Sequence, residues 1–275
     1  TTSAAWTNWR ERRAMLEPKP SKILAAGAAI KLWKLYRFPS ARELILEDLA
    51  LALGVLVIED RLDTAEARLV RNGPRGLIRV NEAISERGRK RFAIAHEIGH
   101  WILHRDISQI NACTDADMIA RYKASAPEVE ASSFAAELLM PQAALAPLLK
   151  CTRPSFRLVS DLAAEFDTSL TAAAIRCVEV TDDYWAVVAS EGGKIKWWRG
   201  SERFEERFWI DAGAMLTAET VAGSLYRGKA LPSGPEEVES GAWVDCKEGY
   251  EHDTLIEEAF PLLTHGQVLS LLYLP

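Results

Sequence analysis

The sequence predicts an α+β chain, helical in its first part and β-rich at its end, on three observations. Apolar residues recur at helical spacing through much of the first 181 residues. The texture changes to short β-like runs after Asp182-Asp183, and one early segment, Phe92 to His104, is apolar on nearly every side of a helix. With 275 residues, 48% hydrophobic and 26% charged, the chain is far from disorder and has room for more than one core. No apolar run approaches the ~18 residues that a membrane helix requires. The stretch Ile23 to Ile30 is mostly Ala and Gly closed by Lys31, and reads as part of a soluble helix rather than a leader core.

The elements follow in order. The first forty residues read as helical, with Ile23, Ala26, Ile30 and Trp33 on one stripe. Pro39-Ser40 opens a second helix, Ala41 to Leu53, which Gly54 ends. Val55–Ile58, Arg68–Val70 and Leu77–Val80 read as strands, the last two joined as a hairpin by Asn72-Gly73-Pro74. Ser85 is placed to cap a helix running to His104. Pro127 suits the first turn of a further helix that stops near Pro141. Short helices follow at Val159–Phe166 and Leu170–Val178. Strands are expected at Tyr184–Ala189, Lys194–Arg199, Ala242–Cys246 and Val268–Leu274, with a helix around Ala218–Tyr226. Domain limits are therefore expected at 1–150, 151–181 and 182–275, with the last part folding on its own core.

Charge is uneven. Arg10 to Arg37 holds eight basic and two acidic residues, whereas Asp182 to the end holds eight basic and seventeen acidic. Two oppositely charged surfaces explain this, as does a basic start that meets an acidic partner; charge alone does not make a nucleic-acid binder. The four cysteines (Cys113, Cys151, Cys177 and Cys246) form no C-x-x-C pair. This excludes a disulfide scaffold and fits a reducing cytoplasm.

Chemistry concentrates on the Phe92–His104 helix. Its two apolar stripes leave one strip, which holds His96, Glu97, His100 and His104. Four ionisable groups on a buried helix are costly without partners, and a metal is a natural one. Histidines four apart project the same way from successive turns, so His96 and His100 can both reach one Zn²⁺. Glu97, rotated ~100° from His96, stands beside the ligands as a general base for water. His104 rises ~12 Å from His96, too far to share the ion, and reads as a supporting or capping residue. The third ligand is sought on the helix from Pro127. There Glu128 falls on the apolar face with Ala131, Phe134, Ala135 and Leu138, while Glu130 and Glu137 project to the opposite side. Glu128 is the choice, and Glu130 is expected to be a bystander.

The run Arg91-Phe92-Ala93-Ile94-Ala95-His96-Glu97-Ile98-Gly99-His100-Trp101-Ile102-Leu103-His104 resembles the ImmA/IrrE family of bacterial zinc metallopeptidase-like proteins. So does Glu128-Val129-Glu130-Ala131 with Phe134-Ala135-Ala136-Glu137-Leu138-Leu139-Met140-Pro141. The resemblance covers Leu44 to Val178. It implies a compact gluzincin-like core, with a small mixed sheet over the His-Glu-x-x-His helix, and a third ligand matching Glu128. Four residues after that Glu the family usually carries Asn, and gluzincins Asp. Ser132 stands there instead, a weaker partner for orienting a ligand. The resemblance also implies a helix-turn-helix-like unit, matching Leu162–Phe166 and Ser169–Arg176. As a DNA reader its second helix is poor, since only Arg176 could meet a base or phosphate. The expected function is a cytoplasmic zinc endopeptidase whose protein substrate is a repressor or antitoxin-type regulator in a stress or mobile-element response. The alternatives are a non-cleaving metal-bound sensor of the same fold and a DNA-binding regulator. The C-terminal part, 182–275, is expected to be an accessory or sensor-like domain.

Overall fold

The computed structural model describes residues 21–104, 125–150, 152–246, 254–262 and 266–275. Cys113 and Cys151, and the first half of the expected N-terminal helical stretch, lie outside these residues. The chain divides into two compact units, one ending at Leu139 and the other starting at Met140. The helices after Met140 fall in the second unit, with the sheet that follows them.

In the first unit, helix α1 (Lys22–Tyr36) starts at Ser21, whose hydroxyl accepts the Leu24 N–H at 3.3 Å. Ser40 accepts the Glu43 N–H in the same way. That cap closes only a turn, and helix α2 (Leu46–Ala52) begins later than expected. Strands β1 (Val55–Asp60), β2 (Ala67–Asn72) and β3 (Arg75–Asn81) form a small mixed sheet in the order β1-β3-β2. β2 and β3 make the expected antiparallel hairpin, and β1 lies parallel to β3. Helix α3 (Arg87–Leu103) carries the His-Glu-x-x-His pattern; its N-cap is Glu86 rather than Ser85, without a side-chain bond. Helix α4 (Ala126–Leu139) has Pro127 in its first turn.

The core of this unit joins Ala25, Ala29 and Leu32 of α1, Ile78 and Val80 of β3, Ile94 and Ile98 of α3, and Phe134 and Leu138 of α4. Two glycines set the spacing around α3. A Cβ on Gly76 would sit 3.0 Å from the Trp101 ring, so its absence lets β3 lie against that indole. A Cβ on Gly99 would sit 3.0 Å from Phe134 and 3.2 Å from the Ala131 backbone, so its absence lets α3 and α4 pack closely there. The last turn of α3 is held further by Arg71. Its guanidinium lies 4.5 Å from the centre of the Trp101 ring and donates to the His100 carbonyl, while Trp101 Nε1 donates to Leu53 O.

The second unit contains helices α5 (Gln142–Leu149), α6 (Phe156–Phe166) and α7 (Leu170–Val180). The turn between α6 and α7 passes through Asp167 at φ 51°, and Ser169 caps α7 by accepting the Ala172 N–H. This is the helix-turn-helix-like pair. The buried face of α7, Ala173, Ala174, Cys177 and Val178, belongs to a helix packed on strands β4 (Trp185–Glu191) and β5 (Lys194–Gly200). Next come helix α8 (Glu202–Arg207), strand β6 (Phe208–Trp209), helix α9 (Val221–Tyr226) and strands β7 (Glu236–Glu239), β8 (Asp245–Cys246), β9 (Thr254–Leu262) and β10 (Gln267–Tyr273). Five strands form an antiparallel sheet ordered β5-β4-β10-β9-β7, and β6 pairs with β8. The expected strand at Ala242 instead begins as a 3₁₀ turn, Ser240–Ala242, and only its last two residues pair.

On β9, Glu257 is fully buried. Its carboxylate accepts the Val221 and Ala222 N–H groups at 2.7 and 2.9 Å, Trp243 Nε1–H at 2.7 Å and the Ser270 hydroxyl at 3.0 Å. Among the described residues no helix is long and apolar enough to cross a membrane.

Candidate metal centre

The strip on α3 faces α4, and three ring and carboxylate donors converge there. His96 Nε2 lies 3.0 Å from His100 Nε2, because residues four apart on one helix stack on successive turns. Glu128, in the first turn of α4, brings Oε2 to 3.1 Å from His96 Nε2 and Oε1 to 3.3 Å from His100 Nε2. His96 and His100 are buried, and Glu128 is half-buried at the edge. Zn–N and Zn–O bonds of 2.0–2.2 Å around a tetrahedron place neighbouring donors about 3.3 Å apart. The three separations match that edge, and two imidazoles with one carboxylate are a zinc donor set.

The electrostatics agree. Burial alone would push the Glu128 carboxyl up, yet the His100 and His96 rings beside it hold it well below the usual carboxylate range. An anion is thus favoured in a site that would otherwise resist one. Glu97, adjacent to His96, is 1% exposed.

The remaining polar residues surround the three donors. Ser132 Oγ lies 3.3 Å from His96 Nδ1, on the ring edge away from the donor triangle. His104 does not join the triangle. Its Nδ1 lies 3.0 Å from His100 Nδ1, and its Nε2 lies 2.9 Å from Glu130 Oε2. Burial pushes the His104 imidazole below its ordinary value, with Glu130 pulling the other way.

Glu130 corrects the sequence reading, which set it among bystanders on the far side of α4. Glu137, assigned to the same side, is also buried. The physical reason is that α4 is covered twice, by α3 and by α1. The Ser21 N–H donates to Glu130 Oε1 at 2.8 Å, and Trp33 Nε1 donates to the Leu138 carbonyl at 3.0 Å. A helical projection assumes one buried face. The near-continuous apolar character of Val129, Ala131, Phe134, Ala135, Ala136, Leu138 and Leu139 was the available sign that α4 has two.

Residues 50–178 match the family model described as the IrrE N-terminal-like domain, Peptidase_M78. The chain carries an IrrE N-terminal-like domain. This bears out the resemblance read from the two motifs, and both the α3 strip and Glu128 lie inside the match. The IrrE-like domain is of a metallopeptidase type, and its match continues past Leu139 through α5 and α6 to Val178 in α7. No curated protein matches the chain. A solved structure described as a Mycobacterium tuberculosis transcriptional regulator is similar over 91% of this chain and 76% of that chain, with a TM-score of 0.54. At 13% identity this likeness concerns the fold alone.

Proposed function

We propose that the IrrE-like domain is a zinc-dependent endopeptidase, with His96, His100 and Glu128 as the metal ligands and Glu97 as the general base. One observation carries the reading: a complete zinc donor set converges at 3.0–3.3 Å on two buried helices. Zn²⁺ held there would supply Lewis-acid chemistry, polarising a peptide carbonyl and making water more acidic. Glu97 takes a proton from the attacking water onto its carboxylate and returns it to the leaving amine. Ser132 orients the His96 ring from behind. The substrate is a protein, a repressor or antitoxin-type regulator, as the family resemblance implies. Cleavage of such a regulator would switch on a stress or mobile-element response.

The protein acts without sequence-specific DNA contacts through α7. Arg176, the residue of that helix best suited to DNA, donates through Nε to the Met140 carbonyl at 3.0 Å and lies 3.9 Å from Glu179. A cytoplasmic location is supported by Cys177, a buried free thiol.

Zinc titration combined with fragment analysis of co-expressed candidate repressors tests the proposal. Glu128→Gln should abolish stoichiometric zinc binding. Glu97→Gln should keep zinc while cleavage falls by about 10²–10⁴. Cleavage that survives Glu97→Gln overturns the assignment of the base. Zinc binding with no cleavage of any candidate favours the sensor alternative.

A further inference from the structure

Glu130 and His104 stand behind His100 in one line of contacts. Glu130 Oε1 accepts the Ser21 N–H at 2.8 Å, and Glu130 Oε2 meets His104 Nε2 at 2.9 Å. His104 Nδ1 in turn meets His100 Nδ1 at 3.0 Å. We propose that Glu130 and His104 are positioning residues that fix the tautomer of His100, so that its Nε2 lone pair faces the metal position. This deepens the zinc reading and rests on it.

The argument is a count of protons. A carboxylate only accepts, so the nitrogen of His104 that faces Glu130 must carry hydrogen. A neutral imidazole has one N–H, so His104 Nδ1 is then a bare acceptor. The ring nitrogen facing it, His100 Nδ1, must be the donor of that contact. With zinc held between His96, His100 and Glu128, so that Glu128 Oε1 takes no hydrogen from His100 Nε2, that nitrogen is left with its lone pair for the metal. Reversing the line would set a His104 Nε2 lone pair against a carboxylate oxygen and place a hydrogen on His100 Nε2, which blocks coordination. The acidic residue at 130 thus selects one arrangement of two histidines. The Ser21 N–H fixes the carboxylate from its other oxygen and ties the line to the start of α1.

Glutamine at 130 keeps the size and reach of the side chain but can present NH₂ to His104, so it permits the reversed line. Glu130→Gln should therefore lower zinc affinity by about 10–100-fold, measured by chelator competition. His104→Phe should cause a similar loss, and the double variant should lose no more than either single one. The thermal midpoints of the metal-free proteins show whether each variant is folded. The chain has five histidines, few enough to assign by ¹⁵N NMR. In metal-free wild type, His104 should carry its hydrogen on Nε2 alone, and Glu130→Gln should introduce the Nδ1–H form. A hydrogen on His104 Nδ1 in wild type overturns the proposal, as does wild-type zinc affinity in folded Glu130→Gln. Failure of wild type to bind zinc would defeat the metal reading instead, and the His104 spectrum would still decide the tautomer.

Discussion

Two acidic residues, one in each unit, sit in protein rather than water and end with opposite chemistry. Burial drives the Glu257 carboxyl up; the bonds from Trp243, Ala222, Val221 and Ser270 lower it, without reversing the direction. Burial also drives Glu128 up, but two imidazoles outweigh it and take the carboxyl far below its usual range. The neighbours of Glu257 are neutral donors that saturate both oxygens and tie α9 and the 3₁₀ turn to β9. The neighbours of Glu128 are the Nε2 atoms of His96 and His100, which with it make a donor set that could hold a cation. A buried carboxylate is therefore not a functional signal by itself; what its partners can still accept distinguishes a staple from a site.

Truncation breaks this comparison most severely. A chain ending at Thr181 keeps every candidate ligand but loses Glu257 and the sheet. It leaves Ala173, Ala174, Cys177 and Val178 of α7 without β4 and β5. We expect it to aggregate, as read by size-exclusion chromatography. A soluble monomer would show that α7 does not need the sheet. Next in size, Glu257→Leu strands the Val221, Ala222 and Trp243 donors. It should destabilise the second unit by about 3–5 kcal/mol, with zinc affinity unchanged, because all three candidate ligands lie in the first unit. Hydrogen exchange in peptides spanning Thr220 to Tyr226 measures that loss directly. Gly99→Ala sharpens the other side of the comparison. The added methyl meets Phe134 and Ala131, so it should cost about 1–3 kcal/mol and weaken zinc binding by moving α3 from α4. The smallest effect is expected from Arg71→Met. It removes the cation over Trp101 and the bond to the His100 carbonyl, for about 1–2 kcal/mol in a urea titration and only a minor change in zinc affinity.

The candidate site was largely legible because its residues obey a local period. His96 and His100 are one turn apart, and Glu128 stands on the apolar side of a helix that the sequence marks with Pro127. Glu130 was not legible, since its burial depends on α1 covering the far side of α4, a contact between segments more than a hundred residues apart. Strand β9 was missed for a related reason. Glu257-Glu258 and Pro261 read as a polar, interrupted stretch, and only the folded sheet shows that the first glutamate points into a set of donors. The expected helix at Ala41 failed more simply: a serine cap can close a single turn without starting a helix.

The thiol of Cys177 has a consequence in time rather than in energy. Burial raises it to about 12, and it lies on the face of α7 that meets the sheet. At pH 8 about one such thiol in ten thousand is a thiolate, so an alkylating reagent waits for the second unit to open. With Cys113, Cys151 and Cys246 replaced by serine, the labelling rate of Cys177 becomes a clock for that opening. Run with and without zinc, the clock reports whether occupying the donor triangle in one unit slows the breathing of the other.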